Sequence, residues 1–521
     1  MTWSTTGGSP IRNGEPVRLA EQRSAADHDR VIDEELLLRN ARLRSGGQPV
    51  DLLISAGRLA VRPTGSVAGR QSVDLDGRLA LPGLWDSHVH FDQWAAAGQR
   101  LDVSGAQSAA ALITLVAQRI RRAPAPAGTV LLGYGFRDGL WPDRPTAAAL
   151  DAVAPDSPVV MVSADLHSAW MNSIALQRFH RTGHPTGLLR EAEWIPVMNE
   201  VGAVPEPMGD AWAELAARTA AARGVVGIVD FELPDNSMSW ARRIAAGTRS
   251  LRVTCSVWPE RLDDAIARGL RSGDPIPGTD ALARMGPLKV ITDGSLNTRT
   301  AYCHDPYPGL HGLDACGVLT CPPAVLVPLM RRAWAAGLNT SIHAIGDRAN
   351  SLVLDAFQTV GSRGTIEHAQ LLDEADLGRF GALDITASVQ PQHALDDRDV
   401  ADQHWAGRTG RAFPYGALLR AGARLTLGSD APVAPLDPWI TIAAAVCRTK
   451  DDRRPWHPEH QLAIGPALAA STGGRLVIEN GDVADLVILN SDPFTADVGE
   501  LRTMQVAGTM LRGGWTHRSG L

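Results

Sequence analysis

Lysine is nearly absent from this 521-residue chain: of its 50 Lys and Arg residues, only Lys289 and Lys450 are lysine. Lys450 lies in the charged stretch RTKDDRR, where any cation is at home. Lys289 stands in GPLKVITDGSLNTRTA between Leu288 and Val290, in what reads as a buried strand. An excess of positive charge is missing too, with a net charge of -7 and an isoelectric point near 6.1. That balance argues against a nucleic-acid partner or an anionic membrane surface, either of which would call for a basic face. No run of about 18 apolar residues occurs, so no membrane span is expected. The first 30 residues lack the apolar core and small-residue cleavage site of a secretion signal. The five cysteines are odd in number and never spaced as C-x-x-C, so reduced thiols in a cytoplasmic protein are the expectation. The alternative, a zinc knot of Cys303, His304, Cys316 and Cys321, has a spacing that fits no metal ribbon.

What is present is a globular composition, 44% hydrophobic and 21% charged, in a chain long enough for one large domain with an accessory or for two or three ordinary ones. Both ends alternate short apolar strands with turns, as in VDLLISAGRLAV and RLVIENGDVADLVILNSDP, which predicts one small β-sandwich assembled from residues 31–80 and 476–521. Residues 1–30 read as a flexible extension. Between the ends, β-branched runs alternate with Ala/Leu/Arg-rich helical stretches over residues 81–475. Strands are expected at 83–91, 224–232, 252–258, 288–294, 339–346, 364–370, 385–392 and 424–432. Eight such strands separated by helices predict an α/β fold of the TIM type, a (β/α)8 barrel. The gap after the first strand is too long for one crossover, so an α/β insertion at about 95–220 is expected there.

Polar residues of one chemical kind recur where these strands end. The first carries His88-Val89-His90, and period-two alternation puts both imidazoles on one face. The fifth carries His343, the sixth His368, the eighth Asp430. A lone histidine is more often a hydrogen-bonded core residue than a ligand. Four of them with an aspartate, at the barrel rim where active sites of this fold lie, point instead to metal. Lys289 then finds a use. A buried ammonium is costly unless paired, and burial lowers its pKa. A neutral amine can take up CO2 as a carbamate whose two oxygens bridge two cations about 3.5 to 4 Å apart, which an always-protonated arginine cannot do. The alternative is a buried ion pair of Lys289 with Asp293 or another acid.

These motifs, in the order LPGLWDSHVHF, LHSAWMNSIAL, PTGLLRE, LKVITDGSLNTRTA, HAIGDRA, TIEHAQLL, SVQPQH, LTLGSDAPVAPLDPW and ADLVILNSDP, resemble the amidohydrolase superfamily and its amidohydrolase-3 branch, which includes N-substituted formamide deformylase. The likeness covers residue 34 to 521. It implies a (β/α)8 barrel with a composite sandwich and a centre of one or two divalent metal ions, usually Zn2+. By that resemblance His88, His90 and Asp430 hold the more buried metal, His343 and His368 the second, and N6-carboxylated Lys289 bridges them. Related proteins often read DGALGSR after the lysine, where Asn297 and Thr298 stand here, a departure that bears on the substrate.

The expected function is hydrolysis of a non-peptide C–N bond, an amide or N-substituted formamide of a small molecule, by water ionised at the metals. Asp430 is the expected general base and then acid. His167, in the insertion, could hydrogen-bond the substrate or cap the SAWMNSIAL helix. Arg299, Gln392 and Trp170 are further candidates for substrate contact, and Trp85, Trp94 and Trp141 for an apolar pocket. Asp347 reads as a helix-start residue. Cyclic amide hydrolysis, deamination, a lyase or isomerase step on the same scaffold, and an inactive metal-binding protein stay open as alternatives. So does the assembly, a homodimer included.

Overall fold

Eight parallel strands close around the centre of the molecule, in the computed structural model, which describes residues 35–65, 71–122, 130–202, 204–233 and 235–521. The expected extension at 1–30 lies outside the described residues. In chain order the barrel strands are Leu84–Val89, Val225–Asp230, Arg252–Val257, Ala283–Ile291, Thr340–Ala344, Gly364–His368, Ile385–Val389 and Arg424–Leu427, each paired with its predecessor. Such strands face the core on both sides, which is why Thr340–Ala344 is buried at every position and Val225–Asp230 at all but one. The ring closes just past the last strand, where a parallel bridge joins Val89 to Ala431. His90 N donates to Ala431 O at 2.8 Å and Asp430 N to His88 O at 2.7 Å. This closure has a direct chemical effect, since it places Asp430 beside the His88-Val89-His90 segment.

Helices such as Asp347–Val360 cover the barrel, burying Val353, Leu354 and Phe357 on the inner face and ending at Gly361 with φ of 68°. Asp347 occupies the first turn of that helix, accepts from His304 N and pairs with Arg411 at 3.2 Å, the helix-start role its sequence position implies. The first two barrel strands approach so closely that a Cβ on Gly227 would lie 2.5 Å from the Trp85 ring. Trp85 is therefore a packing residue of the barrel wall. Gly227→Ala should cost about 2 kcal/mol, read as a lowered urea midpoint at unchanged slope, because the new methyl must displace the Trp85 ring or the strand.

A five-stranded sheet lies in the long connection after barrel strand one, in the order Leu188–Arg190, Ser168–Met171, Val159–Ser163, Leu131–Phe136 and Leu101–Asp102. Trp170 is fully buried in its core, its Nε1 donating to Thr146 O at 3.0 Å, and Trp141 packs edge-on against it at 6.4 Å. At the chain ends two four-stranded sheets face each other over Leu36, Leu52, Ile54, Leu486, Ile488 and Met510. The strand Leu79–Pro82 comes from the N-terminal segment but pairs antiparallel with Leu486–Leu489, two residues beyond the expected limit of 80. Gly83 then leads straight into the barrel, which ties the sandwich to strand one. Among the described residues, no helix is long and apolar enough to cross a membrane.

Candidate metal centre

The barrel rim draws its polar side chains to one point. Asp430 Oδ1 lies 3.5 Å from His88 Nε2 and 3.6 Å from His90 Nε2, and Asp430 Oδ2 lies 3.8 Å from His393 Nε2. Lys289 Nζ stands 3.4 Å from His88 Nε2 and 4.3 Å from the centre of the Phe231 ring. The spacings about Asp430 are too long for good hydrogen bonds, which run about 2.7 to 3.2 Å. They resemble the edge between two ligands sharing one ion, roughly 3.4 Å for tetrahedral bonds near 2.0 to 2.1 Å. Two groups of three bring all their ligand atoms within 4.8 Å of one another: His88, His90 and Asp430, and His368, His393 and Asp430.

Electrostatics prepare these groups as ligands. Burial, then the Lys289 charge, holds His88 and His343 far below the ordinary imidazole value, while burial and then His343 do so for His368. His90 is lowered to about 3 by burial and Lys289, and His393 to about 4 by burial and Arg137. All five are thus neutral at pH 7 with a lone pair to offer. The buried atoms His90 Nδ1 and His368 Nδ1 have no hydrogen-bond partner, a cost that bound ions and their solvent would offset. His88 is aimed from behind, its Nδ1 lying 2.6 Å from Glu367 Oε2, which leaves Nε2 turned to the site. The donor set fits divalent cations, with nitrogen ligands favouring zinc over magnesium or calcium.

Sequence and structure part company over several residues. His343 stands edge-on to His368 with ring centres 4.5 Å apart, but its Nε2 faces Gly294 O and Asp293 Oδ1, both at 3.5 Å, and it belongs to neither group of three. The Lys289–Asp293 ion pair does not form: Asp293 accepts instead from the backbone N–H groups of Tyr302, Ile345 and Gly346. Cys303, His304, Cys316 and Cys321 do not converge as a zinc knot, since the Cys303 thiol packs against Ala301 O and the Tyr307 hydroxyl.

Above the rim opens a cavity of about 530 Å³. Of the substrate candidates only His167 lines it. Trp170 is sealed in the insertion core, Gln392 is bound to Asp396 and Arg502, and Arg299 takes a left-handed backbone turn (φ 60°) outside the lining. Trp94 likewise packs against Phe91 rather than the cavity. The wall is made instead by residues sequence reasoning passed over, among them Arg137, Asp165, Ile195, Met198, Leu233 and Trp258. Asn297 also lines it, donating to Asp397 Oδ1 at 3.0 Å. His393 could have been found from its place in SVQPQH, four residues past strand seven in the short helix Pro391–Asp396. The apolar wall gives no such local signal.

His167 does not cap a helix; Asn172 caps Ser173–Arg178 through Ala175 N. Its Nδ1 meets Glu191 Oε2 at 2.9 Å, and Glu191 also accepts from Thr298 and Thr300 of the barrel loop at 2.6 and 2.9 Å. Burial opposes a charge on His167, yet Glu191, helped by Asp165 and Asp430, pushes its pKa up to about 9. Burial raises Glu191, but His167 and the two threonines outweigh it and bring its pKa down to about 2. The stabilisation from protonated His167 is complete below its unfolded value of 6.5 and is lost as pH rises through about 9. That from ionised Glu191 is complete above 4.5 and is lost as pH falls through about 2. In the metal-free protein, Glu191→Gln should drop the His167 pKa below its ordinary value in an NMR titration. The variant's stability deficit should be largest between about pH 4.5 and 6.5 and shrink towards pH 9. A His167 still titrating near pH 9 in the variant would break this assignment.

A model described as "Amidohydrolase family" matches residues 71–517. Protein LONG AFTER FAR-RED 3 of Arabidopsis thaliana is 30% identical over 489 residues, spanning 82% of this chain and 81% of that protein. N-substituted formamide deformylase of Arthrobacter pascens is 26% identical over 556 residues, spanning 92% and 97%. The crystal structure of an uncharacterized metal-dependent hydrolase from Pyrococcus horikoshii OT3 aligns with a TM-score of 0.74 at 25% identity, covering 89% of this chain and 99% of that one. With the family model running from the N-terminal sheet into the last strand, over a barrel whose rim gathers these side chains, the chain belongs to the amidohydrolase family and is a hydrolase.

Proposed function

We infer that the protein cleaves a non-peptide C–N bond, an amide or N-substituted formamide of a small molecule, at a pair of divalent cations, with zinc the metal its nitrogen donors favour. The observation that carries this reading is the convergence of neutral imidazoles from His88, His90, His368 and His393 on the one carboxylate of Asp430, at the mouth of a closed barrel. His88, His90 and Asp430 would hold one cation. His368 would hold the other, with His343 beside it and Lys289 between the two. Bound there, the metals would lower the pKa of water towards 7 and polarise a carbonyl.

The protein's own groups supply the rest. Burial raises the Asp430 carboxyl to about 7, against the pull of Lys289 and His167, which suits a group that takes a proton from the attacking water and returns it to the leaving nitrogen. Cationic His167 faces the same cavity and would donate to an oxygen of the substrate. Leu233, Ile195 and Met198 offer an apolar wall to its organic part. Burial brings the Lys289 amine down to about 8, opposed by Glu367 and Asp430, so a usable fraction is neutral at pH 7. That amine would attack CO2, forming the N–C bond of a carbamate and releasing one proton. Lys450 has no such freedom, being paired with Asp396.

The test is metal content per chain and the intact mass of Lys289, before and after bicarbonate removal, followed by turnover of a panel of N-formyl and N-acyl amines. Two metals, a carboxylated lysine and release of free amine support the reading. A metal-loaded protein inert to every C–N substrate would move it to another reaction of the scaffold.

A further inference from the structure

His393 lies in the cavity wall with its Nε2 buried and making no well-formed hydrogen bond, 3.8 Å from Asp430 Oδ2 and with the Ser429 backbone beside the ring. Its other ring nitrogen decides what Nε2 can do. Gln370 Nε2 stands 3.3 Å from His393 Nδ1, and an amide N–H can only donate, so Nδ1 accepts and the ring proton sits on Nε2. The reverse amide orientation would leave a buried N–H orphaned where the carbonyl oxygen of Gln370 now stands, and an unsatisfied donor is the rarer case in folded proteins. An imidazole protonated on Nε2 offers no lone pair there to a metal, although the position lies within ligand distance of Asp430. What it offers is a fixed donor beside the catalytic carboxylate. The backbone holds it in place: Phe413 N donates to Gln370 O at 2.5 Å, and His393 rides on Pro391–Asp396, whose end is clamped by Arg137 on Asp396 and Asp397.

We propose that His393 is a substrate-contacting residue whose Nε2–H donates to an oxygen of the bound substrate on the Asp430 Oδ2 side, with Gln370 setting the tautomer that makes it a donor rather than a metal ligand. This rests on the hydrolase reading above and gives its substrate a second polar anchor, opposite in origin to His167: one comes from the insertion, the other from the barrel. It also separates two roles that geometry alone leaves superimposed, because the group of His368, His393 and Asp430 loses one ligand once the ring proton is placed.

The experiment uses the full zinc-loaded chain with acetate as the probe, a small carboxylate able to accept the proposed hydrogen bond. His393→Phe, which keeps a ring but removes the donor, should retain the parental zinc content and bind acetate about tenfold more weakly in calorimetry, while His393→Asn, which restores an N–H, should recover part of the loss. With an N-acyl amine turned over by the parent, kcat/KM of His393→Phe should fall by about 10² to 10³, as for loss of an oxyanion donor. Nitrogen-15 NMR of labelled histidine in the parent should show Nε2 protonated and unligated, a reading independent of whether any variant folds. Loss of zinc in His393→Phe, a metal-shifted or bare Nε2, no acetate binding by the parent, or an unchanged acetate affinity would each overturn the proposal. An absence of turnover by the parent would count against the hydrolase reading instead, and the zinc, acetate and NMR results would still decide His393.

Discussion

Asp430→Asn should retain less than about a thousandth of the parental kcat, because an amide nitrogen can neither take the proton from water nor return it to the leaving group. The residue has no substitute nearby: its Oδ1 is shared between His88 and His90 at 3.5 and 3.6 Å, and its backbone N–H is spent on His88 O. Closure of the barrel pins the strand end that carries it beside His88. Asp86, the nearest acid in sequence logic, is committed to the backbone N–H groups of His88 and Ser429. The variant should be checked for metal content alongside turnover. Inactivity with metal retained assigns Asp430 to proton transfer, inactivity with one metal missing assigns it chiefly to coordination, and activity above about a tenth of the parent would remove it from the mechanism.

The second large effect is expected at Lys289. Lys289→Arg keeps the positive charge but cannot form a carbamate, so the protein should lose its second metal and at least about 10³-fold in kcat. The arginine would also be a permanent cation in a site that is 1% exposed and walled by Phe231 and His88, where Glu367 and Asp430 only partly offset the cost of burial. Lys289→Met separates the two roles. If the lysine serves as a carbamate, the methionine variant should fold with stability equal to or above the metal-free parent, since the desolvation of the buried amine outweighs its attraction to Glu367 and Asp430, yet fail to bind two metals. Thermal melts of metal-free protein and metal analysis of loaded protein read the two effects apart. Full metal content in Lys289→Met would return Lys289 to a purely structural role.

Much of this is legible in the amino-acid sequence. Continuous apolar runs at strand length, separated by helical stretches, announced a parallel barrel because strands covered on both faces have no polar side to display. His88 and His90 could be placed on one side of a strand from alternation alone, and Lys289 stood out because a lysine-poor chain keeps one where desolvation is costly. These are local facts, carried by neighbours a few residues away.

Which rim residues reach the same point is not local. Alternation orients a side chain only while the strand lasts, and Asp430, His368 and His393 all lie at or beyond strand ends, the first two on left-handed backbone at φ of 59° and 75°. That is how His393 came to stand with His368 and Asp430 while His343 turned its Nε2 towards Gly294 and Asp293. The insertion adds a second layer of contingency. Trp170, Arg299 and Gln392 were plausible from position, yet insertion packing buries the first and side-chain pairing or loop geometry turns the others away. His167 gains its charge from Glu191, 24 residues on, and Glu191 is held in turn by Thr298 and Thr300 across the barrel mouth. The sequence by itself determined the scaffold and the kinds of ligand it carries, because both follow from short-range periodicity and the cost of burying charge. Only the tertiary structure decided which of those ligands meet, because that depends on where loops leave their strands and how the inserted sheet docks, and neither leaves a trace at short range.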